Sequence, residues 1–231
     1  MKTAEEELYH NIWNEKIKRE KDLSVDGDQR SSPAFELIGK GKRLLDIGCG
    51  EGTLASRSLE KYKEVYGIDI SEDAVRLAKA SGIVASCTNL NVEPLPYPDN
   101  YFDTVTSLDV IEHIFDPTNF VKEIYRVLTP GGNVVISTPN IRKIERIITL
   151  IKGRFPGTSF DPVGFDGGHI HYFTSHDLSD LMERNKFRVL RIDGIRGNRL
   201  TWKYRLAVGL FGKQFEKEFL SVAILLKAEK I

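Results

Sequence analysis

Three groups of residues have types and spacings that could do chemistry. The first is Arg43-Leu44-Leu45-Asp46-Ile47-Gly48-Cys49-Gly50-Glu51-Gly52, an apolar run with an acid that breaks into three glycines at alternate positions. Glycine is needed where the backbone takes positive φ or lies against a ligand with no Cβ between them. A helical pattern opens at Thr53-Leu54-Ala55, so the order reads strand, tight turn, helix, which brings a ligand to unpaired N–H groups. The second is Asp69, near the end of the β-rich run Glu64-Val65-Tyr66-Gly67-Ile68-Asp69-Ile70-Ser71 and 21 positions past Gly48. An acid at the tip of a second strand can accept hydrogen bonds from both hydroxyls of a ribose. Its competing role, capping the helix that starts at Glu72, can be filled by Ser71 instead. The third is His169 and His171, with Asp166, in the glycine-rich stretch 164–173. Histidines at i and i+2 share a face if the segment is extended, and an ordinary pKa of about 6.5 suits a general base. The competing role is a pair of loop histidines bonded to backbone. No Cys/His cluster has zinc spacing and two histidines supply too few ligands, so no metal site is expected.

A dinucleotide fingerprint would be G-x-G-x-x-G, but position 53 is threonine and the spacing here is D-x-G-x-G-x-G. That pattern resembles motif I of the class I S-adenosylmethionine (SAM)-dependent methyltransferases. Two further stretches are similar to that family: Glu93-Pro94-Leu95-Pro96-Tyr97-Pro98-Asp99-Asn100-Tyr101-Phe102-Asp103, and the L-x-P-G-G of Leu128 to Gly132. The resemblance covers about 41–139 well and the remainder loosely.

The resemblance implies SAM as cofactor. Asp46, Gly48, Cys49, Gly50 and Gly52 would meet its amino-acid part, and Asp69 with Ile70 its ribose. Asn89, where the family usually has an acid, would accept from the adenine amine, with Leu90 against the ring. Asp109 and His113, past the fourth strand, would line the methyl-transfer cleft. SAM carries its own leaving group, so positioning is the protein's main task, and a base is needed only if the acceptor must lose a proton. His169, His171 and His113 are the candidate catalytic residues. The expected function is methyl transfer to a small-molecule acceptor such as a sugar or quinone precursor. Rival readings are a SAM-binding protein without catalysis and an NAD-dependent oxidoreductase, the latter disfavoured by Thr53 and by the match at 93–103.

These residues need a scaffold of alternating strands and helices, hence a doubly wound α/β domain spanning 1–231. Strands are expected at the two runs above, at 83–85, 102–108, 133–138, 187–192 and 219–226. Helices are expected at 3–21, from Thr53, at 72–80, 116–128 and 141–152, and from Thr174 or Ser175 to Arg184. Residues 22–32 read as a polar linker, and 140–173 and 196–215 as insertions near the acceptor. By the resemblance, the seven strands are ordered 3-2-1-4-5-7-6, mostly parallel with the last antiparallel, and helices cover both faces.

The 231 residues carry 33 Lys/Arg and 33 Asp/Glu, so no global charge argues for a nucleic-acid partner. From Arg184 to Ile231, however, 12 basic residues face 4 acidic ones. With Trp202, Tyr204 and Phe211 interleaved, this end is read either as a solvated face or as a peripheral membrane contact. Two cysteines make no disulfide framework, the N-terminus is too polar for a signal peptide, and no apolar run spans a bilayer. A cytoplasmic setting is expected.

Overall fold

The computed structural model describes residues 28–159, 164–197 and 202–231, together with 3, 7, 8, 11 and 12. The elements in chain order are α1 (Asp28–Leu37), β1 (Gly41–Ile47), α2 (Thr53–Ser58), β2 (Tyr62–Asp69), α3 (Glu72–Ala80), β3 (Val84–Cys87), β4 (Phe102–Leu108), α4 (Pro117–Val127), β5 (Leu128–Pro139), α5 (Ile144–Ile151), α6 (Ser175–Arg184), β6 (Phe187–Ile195), α7 (Trp202–Phe215) and β7 (Ala223–Lys230). Short 3-10 turns lie at Ile111–His113 and Phe165–Gly168, and a π turn at Glu216–Leu220.

The strands form one sheet in the order β3-β2-β1-β4-β5-β7-β6. β7 pairs antiparallel with both β5 and β6, and the remaining neighbours are parallel. The expected topology therefore holds. Two apolar layers flank the sheet. Ala34, Phe35, Leu54 and Val75 from α1, α2 and α3 cover one face. Phe120, Ile124, Leu178 and Met182 from α4 and α6 cover the other.

Local chemistry explains the helix starts. The Ser71 hydroxyl accepts from Ala74 N at α3, and Asp116 accepts from the amides of Thr118 and Asn119 at α4, with Pro117 in the first turn. At α6 Thr174 and Asp177 make a reciprocal capping box.

Several expectations shift. The helix at 3–21 lies mostly outside the described residues. The 22–32 linker is already helical from Asp28, because Ala34, Phe35 and Ile38 bury against the sheet and outweigh the local Ser-Ser-Pro signal. On α3 Val75 rather than Leu77 is buried. The Thr129–Gly132 turn is absorbed into β5 as an irregularity in its pairing with β4. The last strand starts at Ala223, not Phe219. Phe219 instead stacks on Phe215, with rings 5.1 Å apart, and lies under Arg142. Among the described residues no helix is long and apolar enough to cross a membrane.

Candidate functional site

The first turn is built by hydrogen bonds between β1 and β2. Gly48 N and Cys49 N both donate to Ile68 O, at 2.8 and 3.0 Å. Gly48, Gly50 and Gly52 have φ of 69°, 56° and 87°, the left-handed region that glycine enters without steric cost. At Gly48 a Cβ would also fall 2.3 Å from a methyl of Val110, so this glycine admits the β4 loop as well as the turn. The Cys49 thiol is buried under the turn, close enough to Gly67 that a Cβ there would lie 2.7 Å from Sγ. Burial raises this thiol, so Cys49 offers the site backbone and not a nucleophile.

Asp69 ties this turn to the next. One carboxylate oxygen accepts from Gly50 N and the other from Ser71 N, both at 2.9 Å. Asp46 is 4% exposed. Its register opposite Thr106 brings it a hydroxyl donor at 2.6 Å. Burial, opposed by that hydroxyl and reinforced by the nearby Asp69 charge, lifts the Asp46 carboxyl to about 7. A buried acid with so little compensation would be stabilised in its ionised form by any cationic group brought beside it.

On the other side of β1, the backbone after β4 holds the second half of the site. Asp109 sits at φ 54° and its carboxylate accepts from the Ser137 hydroxyl at 2.9 Å. It also pairs with Arg30 of α1. Sequence reasoning missed Arg30 because it lay in the expected linker. Asn89 is buried, but its side-chain oxygen already accepts from Asn91 N at 3.0 Å, and Leu90 packs at the margin of the core. Ile70 is half-buried next to Asp69, and its carbonyl accepts from the exposed Cys87 thiol.

The histidine loop is stitched onto the turn at Ile111–His113. Ile170 N and His171 N both donate to Glu112 O, at 2.9 and 3.0 Å. His113 Nδ1 lies 3.1 Å from Gly168 O; a carbonyl only accepts, so Nδ1 carries a proton. The His113 and His169 rings meet edge-on at 4.6 Å. Asp166 accepts from Thr158 N, Thr158 Oγ1 and Ser159 N, and these bonds hold it below the usual carboxylate range despite its burial. Thr158 Oγ1 in turn lies 2.6 Å from His169 Nδ1. Burial, with His113 beside it, lowers His169 to about 4, so it is neutral.

His113 and His169 thus come together, while His171 lies apart, its ring 6.2 Å from Phe173 and its Nε2 buried without a partner among the described residues. Glu112, which sequence reasoning also missed, completes the cluster. It is 1% exposed, and neither carboxyl oxygen has a hydrogen-bond partner among the described residues. Burial, then the Asp109 charge, pushes it well above the carboxylate range. Ligand atoms of Glu112, His113 and His169 all lie within 4.8 Å of one another, a set that could hold a cation. Counting neighbours along the chain does not bring these three donors together; the fold does.

The methyltransferase-domain family profile matches residues 20–192. A "Probable S-adenosylmethionine-dependent methyltransferase" of Mycolicibacterium smegmatis is 34% identical over 149 residues, 64% of this chain and 53% of that protein. A ubiquinone biosynthesis O-methyltransferase of Alkalilimnicola ehrlichii is 38% identical over 106 residues, 44% of this chain and 43% of that one. The matches therefore span about half the length of these curated relatives. Among solved structures, a SAM-dependent methyltransferase of Thermotoga maritima, described as a possible histamine N-methyltransferase, shares the fold. It has a TM-score of 0.67 at 17% identity, over 97% of this chain and 99% of that one.

Proposed function

Since the chain belongs to the class I SAM-dependent methyltransferases, we propose that it transfers a methyl group from SAM to a small-molecule acceptor held at the carboxyl edge of the sheet. The observation that carries this reading is the pair of buried acids at adjacent strand tips, Asp46 and Asp69, joined to the glycine turn by the Gly50–Asp69 bond.

SAM supplies, when bound, a sulfonium-activated methyl group. The protein's own part is to bind, orient and exclude water. Asp46 answers the ammonium end, the glycine turn lets backbone approach the amino-acid part, and Asp69, at the tip of the second strand, takes the ribose hydroxyls. Asn89 and Leu90 border the adenine side. Asp109, held by Arg30 and Ser137, lies on the methyl-transfer side with His113.

If the acceptor carries a proton on its reacting atom, the nitrogens of His113, His169 and His171 are the groups to take it. His113 and His169 are the better placed, because the 158–169 hydrogen bonds fix one ring and Gly168 O fixes the other. Methyl transfer from labelled SAM across pooled metabolites and a lipid extract tests the whole reading. Formation of S-adenosylhomocysteine with any acceptor supports it. SAM binding without turnover favours a regulatory SAM-binding protein, and tight NAD binding without SAM binding sinks both.

A further inference from the structure

We propose that the face formed by α5 and the turn that follows it docks on an anionic lipid bilayer. Five of the eight residues of α5 are Ile or Leu, yet none of the eight is buried. A helix that apolar is normally covered by something. Just beyond it the rings of Phe155 and Phe165 pack on each other at 4.9 Å while remaining exposed. Ile151 is 79% exposed and Phe165 72%. Apolar side chains gathered this densely on a surface mark an interaction site.

The charges select the occupant. Lys152 and Arg154 sit between Ile151 and Phe155, and both are exposed. Residues 140–160 carry five basic side chains and one acid, and 196–215 carry five and none, in a chain whose basic and acidic residues are equal in number overall. Both segments leave the carboxyl edge of the sheet, one after β5 and one after β6. The ladder Phe211–Phe215–Phe219, capped by Arg142, links them. A second copy docked face to face would set cations against cations. Anionic headgroups are complementary to them, with apolar side chains entering below the phosphates and cations staying level with them.

Phe155 also packs on Tyr172 at 5.5 Å, and the Tyr172 hydroxyl donates to His169 O. Docking therefore sets the mouth of the histidine loop against the bilayer. The inference goes beyond the methyl-transfer reading and stands or falls separately from it.

The test is flotation of the full chain with vesicles of phosphatidylcholine alone and of phosphatidylcholine with phosphatidylglycerol. The chain is expected to float with the anionic vesicles at low salt, to stay behind with the neutral ones, and to release as salt rises. Lys152→Gln with Arg154→Gln lowers the partition roughly 30-fold, and Ile151→Asp with Phe165→Asp abolishes it. SAM titration of each variant reads the cofactor site independently, so loss of flotation with SAM binding intact supports the docking face. If the aspartate pair also loses SAM binding it has misfolded, and the cation pair decides. No flotation of the unaltered chain, flotation indifferent to either pair, or a concentration-dependent dimer that Ile151→Asp disperses would overturn the proposal.

Discussion

Gly50 donates its backbone N–H to the Asp69 carboxylate at 2.9 Å, so the turn after the first strand and the acid of the second form one unit. A change at either end of this bond is felt at the other.

The first prediction follows from that bond. Asp69→Ala should weaken both SAM and S-adenosylhomocysteine by about ten- to hundredfold in isothermal titration. A hydrogen bond to a charged group contributes about 1.5–3 kcal/mol, and the orphaned Gly50 amide adds to the loss. Unchanged affinities would remove Asp69 from the cofactor site.

Asp46 predicts a pH dependence. Its folded-state pKa is raised to about 7, so the folded protein holds a proton there that the unfolded chain releases near 4. The stabilising contribution of this group is present in full below the unfolded value and is lost as pH rises through about 7. Binding of a ligand cation runs the other way. SAM affinity should fall about tenfold per pH unit below 7 and level off above it, and Asp46→Asn should flatten the profile. A flat profile in the unaltered protein would mean that the ammonium does not meet Asp46.

Gly48 and Gly50 should separate stability from binding. Gly48→Ala places a Cβ on the Val110 methyl at φ 69°, at a cost of about 1–3 kcal/mol. A fall in Tm of about 3–10 °C is expected, partly restored by Val110→Ala. Gly50→Val should abolish SAM binding while the protein stays folded, as circular dichroism and titration would report together. Normal SAM binding by Gly50→Val would place the cofactor elsewhere.

For the histidine cluster, His113→Ala and His169→Ala should keep SAM affinity and lose turnover by ~10²–10⁴ if they take the acceptor's proton. His171→Ala is the internal comparison, since its ring lies apart from that pair. Parallel loss of SAM binding would make the cluster scaffolding, and full activity would exclude it from the chemistry.

The parts legible from sequence were those fixed by local signals. Ser71 and Thr174 cap where they stand, and the proline-bearing loop 90–101 gives way to β4 at Phe102, so those boundaries coincide with the structure. Asp46 and Asp69 were legible because glycine spacing and strand tips mark them. What escaped depends on tertiary burial. Phe219 reads as the start of a strand until the aromatic ladder claims it. Glu112 reads as an ordinary acid before a histidine, and only its 1% exposure distinguishes it. Arg30 carries no signal until α1 folds back to meet Asp109.

The two amides that Glu112 O receives from Ile170 and His171 fasten the histidine loop to the turn at Ile111–His113 through one acceptor. Lifting it breaks both bonds at once, about 1 kcal/mol each in net terms, and admits water to a carboxyl that the closed state keeps dry. The dryness of Glu112 and the seating of the histidine loop are therefore a single structural fact, carried by those two amides.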